Sequence, residues 1–150
     1  MKNRSTKGFT LIELIVSVTI ISVLVAAGAV SYTSVTRRSR DAKRQSDVEQ
    51  LRSALEMFRA DFGYYPPTGS GSWTAASNLS GDLVTTYMPA IPTDPKTTYS
   101  YRYQATNLTG GNYFGYCLTT YLETGDEADS CTPDNSAQPS GSFMYGIKNP

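Results

Sequence analysis

The apolar run at residues 9–32 is the feature that most limits how this chain can fold, because Glu13 is its only formal charge. In helical form, about 24 residues span roughly 36 Å, which is enough to cross the apolar part of a bilayer. The core of a cleavable signal peptide is normally shorter. The sequence therefore predicts a transmembrane helix over residues 9–33, with one ionisable side chain at membrane depth.

The helical pattern continues beyond this run. No glycine or proline interrupts residues 34–62. Apolar side chains recur there every three or four residues, which is the spacing of one helical face. The members of this stripe are Val48, Leu51, Leu55, Phe58 and Phe62. Gly63 then supplies a stop, and Pro66 follows. We predict an amphipathic helix over residues 34–62 that continues the apolar helix into a globular head.

The remaining residues, 63–150, are rich in Gly, Ser, Thr, Asn, Pro and Tyr, a composition typical of turns and short strands. The predicted strands are 99–103, 113–122 and 143–147. Gly110 and Gly111 suit a hairpin turn before the second strand. One face of the antiparallel sheet would pack on Leu51, Leu55 and Phe58 of the helix, and the tyrosines would pack with their hydroxyls at the surface. The predicted fold class is α+β, a long N-terminal α-helix packed on a small antiparallel β-sheet.

The formal net charge is zero, but the charges are unevenly distributed. The first 44 residues carry eight basic and two acidic side chains, a net charge of +6, and the remainder carries five basic and eleven acidic ones, a net charge of −6. Anionic headgroups would attract the basic end on the membrane side. The acidic head argues against nucleic-acid binding through phosphate contacts.

The sequence contains no set of residues that is typical of a catalytic site. It contains no histidine, which excludes His-based catalysis and most transition-metal sites. It also has no phosphate-binding loop and no glycine-rich dinucleotide turn. We therefore predict that the protein is not an enzyme.

Cys117 and Cys131 are the two cysteines of the chain. If the head is exported, the oxidising compartment favours a disulfide between them, and two unpaired buried thiols are the alternative. Closing a loop of about 15 residues would contribute roughly 3 kcal/mol in the chain-entropy model.

A more specific signal lies at the start of the apolar run, in the sequence Gly8-Phe9-Thr10-Leu11-Ile12-Glu13. A short basic leader, a glycine, a phenylalanine and one glutamate at this spacing resemble the N-terminal signal of type IV pilins and of the pilin-like subunits of type II secretion systems. The resemblance implies that prepilin peptidase removes residues 1–8 by cutting between Gly8 and Phe9. It also implies that the new N-terminal Phe9 is methylated and that Glu13 is the fifth residue of the mature chain.

The resemblance also gives Glu13 a partner, the free N-terminal amine of Phe9 in a neighbouring subunit. This pairing would set the axial register of packed helices, whereas a protonated, solitary Glu13 is the alternative. Residues 41–67 extend the resemblance to the major pseudopilins. The positions that carry this extension are Asp47, Leu51, Ala54, Leu55, Phe58, Asp61 and the run Gly63-Tyr64-Tyr65-Pro66.

The function implied by the resemblance is that of a structural subunit of a type IV pilus or type II secretion-like pseudopilus, polymerised through its N-terminal helix and carrying a pilin-like head. Its partners would be prepilin peptidase, identical or related pilin subunits in a helical filament, an inner-membrane assembly platform and, before assembly, membrane lipid. The subunit would be a single-pass membrane protein with its head outside the cytoplasm, and later part of a surface filament.

Two features favour other interpretations. Ala27-Gly28-Ala29 resembles a signal-peptidase site, which would release a chain starting near Val30. The protein would then be a membrane-anchored or secreted binding domain that does not polymerise. In addition, the basic residues after the apolar run outnumber those before it, so charge alone would place the head in the cytoplasm. These residues are Arg37, Arg38, Arg40, Lys43 and Arg44, against Lys2, Arg4 and Lys7.

Acidic residues surround the predicted disulfide loop, namely Glu123, Asp126, Glu127, Asp129 and Asp134. Related pseudopilins can bind calcium near their C-termini, and oxygen ligands in a flexible loop suit Ca²⁺. The candidate ligands here are Asp126, Asp129 and Asp134. Their spacing does not match an EF-hand, so we favour a solvated acidic loop without a cofactor.

Overall fold

The computed structural model describes residues 8–125, 128–129, 131 and 142–149. Helix α1 occupies Leu11–Phe62, a length of 52 residues. The chain divides into two compact units, Met1–Thr36 and Arg37–Pro150, so that α1 contributes to both. The predicted leader lies outside the described residues, except for Gly8.

In the N-terminal unit, the first part of α1 exposes its apolar side chains. An 18-residue window of α1 has a mean hydropathy of 2.4 and no buried residue, which makes the helix long and apolar enough to cross a membrane. Its hydroxyl groups bond to the carbonyl oxygen one turn earlier, with 2.7 Å from Ser17 to Glu13 and 2.7 Å from Ser22 to Val18. Such bonds satisfy polar groups within the helix, as a segment surrounded by lipid requires.

The second part of α1 provides the core of the second unit. Four of the five residues in the predicted stripe are buried, and Ala54 joins them; the buried residues are Val48, Leu51, Ala54, Leu55 and Phe58. The last residue of the stripe, Phe62, is 53% exposed. The helix ends at this residue, and its ring lies 4.5 Å from that of Phe58 and 6.1 Å from that of Tyr64.

Gly63 ends the helix as predicted. Its φ of 81° is in the left-handed region, and its N–H donates to the carbonyl oxygen of Arg59 at 2.7 Å. Glycine adopts this conformation without the steric cost of a Cβ atom. The chain then turns towards the sheet, where Tyr65 forms an isolated bridge with Tyr113.

The remaining elements form a five-stranded sheet with short helical turns before it. The 3₁₀ turns are Gly69–Gly71 and Ala76–Leu79, and helix α2 is Ser80–Leu83. The strands are β1 Thr74–Ala75, β2 Arg102–Thr109, β3 Asn112–Leu122, β4 Ala128–Asp129 and β5 Phe143–Lys148. They lie in the order β1-β2-β3-β5-β4. All neighbouring pairs are antiparallel except β4 and β5, which are parallel. The α+β prediction is therefore confirmed, with two short strands that the sequence pattern did not indicate.

The turn between β2 and β3 is the predicted hairpin. Thr109 pairs with Asn112, and the two intervening glycines have φ values of 59° and 88°. Positive φ at both central residues is the requirement of a two-residue turn that matches the twist of the strands. A further glycine, Gly115, leaves room for a neighbouring side chain, because a Cβ there would lie 2.8 Å from the Asn107 amide nitrogen.

The first predicted strand starts too early. Strand β2 begins at Arg102, whereas the N–H of Tyr99 closes a turn by donating to the carbonyl oxygen of Lys96 at 3.1 Å. Tyrosine spacing alone did not reveal this turn. Tyr101, just before β2, and Tyr103 and Ala105 within β2 are all buried, as the alternation of a half-buried strand requires.

Candidate functional site

The residues of the processing motif lie at and just before the start of α1. Gly8, Phe9 and Thr10 precede the helix and are exposed. The carbonyl oxygen of Thr10 accepts the first helical hydrogen bond, from the N–H of Leu14 at 3.2 Å. Thr10 is therefore the N-cap residue, and Glu13 is the third residue of the helix.

Glu13 forms a capping box with Thr10. The backbone N–H and the hydroxyl of Thr10 both donate to Glu13 Oε2, at 2.9 and 2.8 Å, and the N–H of Glu13 donates to the Thr10 hydroxyl oxygen at 3.4 Å. The Ser/Thr-x-x-Glu pattern in the sequence is the known signal for this arrangement, whereas the family resemblance points only to assembly for Glu13. Within its own chain, the carboxylate thus caps the helix N-terminus.

Phe9 and Glu13 lie on the same side of the N-terminal segment. Together with Ile12, Val16 and Ser17 they line one open groove. Phe9 is 87% exposed, so the residue is accessible to another molecule. The two residues predicted to meet across subunits are therefore both exposed on one surface of the monomer.

The second unit contains a buried ion-pair cluster centred on Arg44, whose side chain is 0% exposed. Its guanidinium binds Asp94 through two bonds, of 2.7 Å from Nε and 3.0 Å from Nη2. Its Nη1 donates to Asp41 at 2.7 Å and to Glu123 at 3.0 Å. Its carbon Cζ also lies 4.6 Å from the centre of the Tyr99 ring. Burial alone would lower the pKa of Arg44, but these carboxylates outweigh burial and raise it.

Two further cations complete this cluster, which we call the Arg44 cluster. Arg40 binds both carboxylate oxygens of Glu123, at 2.6 and 2.7 Å, and Lys96 binds the same carboxylate at 2.8 Å. The six charged residues are Arg40, Arg44 and Lys96 with Asp41, Asp94 and Glu123, so the formal charges cancel. Asp41 additionally accepts the backbone N–H groups of Glu123 and Thr124. The cluster joins α1, the turn before β2 and the end of β3.

The Arg44 cluster corrects two interpretations of the sequence. Glu123, grouped there with the acidic loop, is committed to three cations of the folded core. Arg40 and Arg44, counted there among the basic residues that follow the apolar run, are likewise paired within the second unit. Sequence pattern could not reveal either point, because Glu123 lies 79 residues from Arg44 and 83 from Arg40 along the chain.

Pairing depresses the pKa of Glu123 well below its ordinary value of 4.5, chiefly through the hydrogen bonds from Arg40, with Lys96 and Arg44 contributing and burial opposing. A carboxyl group whose pKa is lower in the folded state stabilises the fold above its unfolded pKa and loses that contribution as the pH falls. We expect the melting temperature of the second unit to fall between about pH 6 and pH 3, less steeply in Glu123→Gln. Melting of both proteins across that range tests this, with the exposed Asp82→Asn as control. Equal slopes in wild type and Glu123→Gln would contradict the assignment.

The buried tyrosine hydroxyls correct the expectation that they lie at the surface. Tyr101 donates to Asp47 at 2.6 Å, and Tyr103 donates to the carbonyl oxygen of Pro66 at 2.8 Å. Burial raises the pKa of both phenols, and the Asp47 carboxylate adds to the effect at Tyr101. Both hydroxyls therefore stay protonated and act as donors that fix α1 and the Pro66 turn against the sheet.

Cys117 and Cys131 form the predicted disulfide, with Cα atoms 5.8 Å apart and a separation of 14 residues. Because the bond constrains the unfolded chain, replacing both cysteines by serine should lower the free energy of unfolding by about 3 kcal/mol. Denaturant unfolding of the double variant measures this loss. The wild-type protein treated with a thiol-blocking reagent but no reductant is the control. Equal stability of the variant and the control would be inconsistent with a stabilising disulfide.

The calcium candidates are only partly described. Asp126 and Asp134 lie outside the described residues, and for Asp129 only the backbone is described, in β4. Among the described residues, no group of three or more acidic, histidine or cysteine side chains could hold a metal ion. Calcium binding therefore stays untested.

Known protein families match both the N-terminal segment and a large part of the rest of the chain. Residues 3–29 match the family model of the prokaryotic N-terminal methylation motif, and residues 31–115 match that of the type II secretion system protein G. The type II secretion system core protein G of Klebsiella michiganensis is 29% identical over 101 residues, which cover 63% of this chain and 71% of that protein. The type IV major fimbrial protein FimA of Dichelobacter nodosus is 37% identical over 77 residues, 51% of this chain and 49% of that protein. No solved structure matches.

Proposed function

The chain belongs to the type II secretion system protein G family, and on that premise we propose that it is cut between Gly8 and Phe9 and polymerises through the N-terminal part of α1. It is a structural, non-enzymatic subunit of the pilus or pseudopilus type. Family membership implies assembly with related subunits and processing by a prepilin peptidase.

Accessibility supports cleavage after Gly8. Gly8 and Phe9 precede the first helical residue, and both are exposed. A peptidase requires an extended substrate, which a residue inside a hydrogen-bonded helix does not offer. In the proposed reaction, water adds to the Gly8 carbonyl and the Phe9 nitrogen leaves as a free amine. That amine is the methylation site and, when protonated, a cation at the membrane end of the mature chain.

Charge complementarity supports assembly through Glu13. After cleavage, the N-terminal amine of Phe9 and the Glu13 carboxylate are opposite charges on one groove of an apolar helix. Each is costly in lipid when unpaired, because the membrane core offers no water. Pairing between neighbouring subunits neutralises both, and repetition of this one heterologous contact generates an open helical polymer.

The remaining parts of the proposal concern location. The subunit is membrane-anchored through the apolar part of α1. We place its head outside the cytoplasm and assign an inner-membrane assembly platform as the partner that extracts it into a surface filament. The Arg44 cluster weakens the opposing argument from basic residues, because two of the five cations counted on the head side are bound within the folded head.

The N-terminus of the mature protein tests the proposal. Mass spectrometry of the protein from expressing cells should find a methylated Phe9. Gly8→Val should leave the leader attached, whereas Ala29→Leu, which alters the alternative signal-peptidase site, should be processed normally. A mature chain that starts near Val30, or still at Met1, would instead support a secreted or anchored binding domain that does not polymerise.

We further propose that the acidic loop is solvated and needs no cofactor. Adding millimolar calcium should then leave the melting temperature of the full chain unchanged. Calcium binding to the folded state would raise it, since a ligand present at 100 times its dissociation constant stabilises by about 2.7 kcal/mol. Magnesium at the same concentration is the control for ionic strength. A rise with calcium alone, lost in Asp126→Asn or Asp134→Asn, would contradict the proposal.

A further inference from the structure

The five basic residues that follow the apolar run belong to two groups. Arg40 and Arg44 are bound in the Arg44 cluster. Arg37, Arg38 and Lys43 are exposed, and none of them forms an ion pair with another residue in the described part of the chain. From the sequence alone, all five basic residues would count equally as free positive charges. Within the described residues, Arg37 and Arg38 are the first cations after the apolar run that form no ion pair.

Arg37 and Arg38 lie at a distance from the apolar run that would place them in the headgroup region of a membrane. Arg37 and Arg38 follow the terminal Tyr32 by five and six residues, or about 8–9 Å of helix. Tyrosine is enriched at membrane interfaces, and long basic side chains reach from a helix to the headgroups. Lys43 lies 11 residues beyond Tyr32, about 16 Å of helix, outside that zone.

The direction of the two side chains also favours lipid over a protein partner. Successive residues of a helix point about 100° apart, so Arg37 and Arg38 do not form one face. A docking partner would approach from one side, whereas headgroups surround the whole circumference of a helix that crosses them. The Arg44 cluster does not neutralise the charges of Arg37 and Arg38. Its own formal charges cancel, and its carboxylates are paired with cations of the same cluster.

We propose that Arg37 and Arg38 bind the phosphate groups of anionic phospholipids and hold the unassembled subunit at a fixed depth in the membrane. The guanidinium group suits this partner, because its planar donors bind two phosphate oxygens at once. The proposal rests on the proposed membrane-anchored subunit. It adds a step to assembly: these lipid contacts must break when the subunit leaves the bilayer for the filament.

Lipid binding by the purified full mature chain tests this inference. The chain in neutral detergent is titrated with phosphatidylglycerol or phosphatidylcholine in mixed micelles, and bound lipid is counted by native mass spectrometry. We expect a preference for phosphatidylglycerol that weakens with salt. Each basic residue at a membrane surface changes affinity about 5-fold, so Arg37→Gln with Arg38→Gln should weaken phosphatidylglycerol binding roughly 25-fold.

Two controls separate position from net charge. Lys43→Gln removes a cation farther from the apolar run and should weaken binding less than twofold, since salt screens electrostatic attraction beyond a Debye length of about 10 Å. Arg52→Gln with Lys148→Gln removes two charges from the head and should leave binding unchanged. Equal lipid binding by wild type and the Arg37/Arg38 double variant would overturn the inference.

The same double variant distinguishes lipid from a second copy of the chain. Reduced filament yield with unchanged phosphatidylglycerol binding would assign the two arginines to a subunit contact and overturn the lipid assignment. The outcome is independent of the proposed processing, because the titration uses a chain already beginning at Phe9. Failure of cleavage at Gly8 in cells would refute the proposed function without changing the lipid titration.

Discussion

Arg44→Ala is expected to lower the free energy of unfolding of the second unit by about 3–5 kcal/mol, the cost of removing one partner from a buried ion pair. The substitution leaves Asp41, Asp94 and Glu123 with three negative charges against the two remaining cations, Arg40 and Lys96. It also leaves a cavity where a fully buried side chain was. The bidentate contact with Asp94, which joins α1 to the turn before β2, is lost at the same time.

Thermal unfolding of the full chain in detergent, followed by near-ultraviolet circular dichroism of the tyrosines, measures this effect. For a unit of this size, a loss of that order lowers the melting temperature by about 10 °C or more. Arg52→Ala is the matched control, because Arg52 forms an exposed pair with Glu49 on the same helix at 3.3 Å. Such a pair contributes about 0.2–1 kcal/mol. If the two variants melted within a degree or two of each other, the cluster would not stabilise the head.

Glu13→Ala is expected to leave cleavage after Gly8 intact and to reduce filament yield at least tenfold. Cleavage requires only Gly8 and Phe9 in the proposed reaction. Assembly loses the carboxylate that would neutralise the Phe9 amine of the next subunit, and a loss of 1.4 kcal/mol per contact already weakens association tenfold. Shearing surface filaments from cells and quantifying them by electron microscopy measures the yield. Mass spectrometry of the membrane fraction confirms the processed N-terminus.

Glu13→Gln separates the proposed role of Glu13 in assembly from its role as a cap of its own helix. Glutamine at the third helical position still forms a capping box with Thr10, but it carries no charge. If assembly requires the ion pair, Glu13→Gln should fail like Glu13→Ala. If Glu13 only caps its own helix, Glu13→Gln should assemble like wild type, and the proposed contact would be refuted. Glu49→Ala, an exposed carboxylate on the same helix, should form filaments normally.

The sequence by itself determined the features that depend on local spacing. The apolar run, the three- and four-residue periodicity and Gly63 each act within one helix, where neighbouring side chains decide the outcome. The hairpin at Gly110 and Gly111 is equally local. The processing motif could be recognised because it is also local: its residues are contiguous in the sequence. The Thr10–Glu13 capping box likewise joins positions only three residues apart.

Only the tertiary structure decided which charged groups and which tyrosine hydroxyls are buried and bound to partners. Arg40 and Arg37 look alike in the sequence, yet one binds Glu123 and the other is exposed. Burial of a charge is stable only when several partners converge on it. At the Arg44 cluster these partners come from segments up to 83 residues apart, which no local pattern encodes. The fold therefore separates the cations bound in the Arg44 cluster from those left exposed.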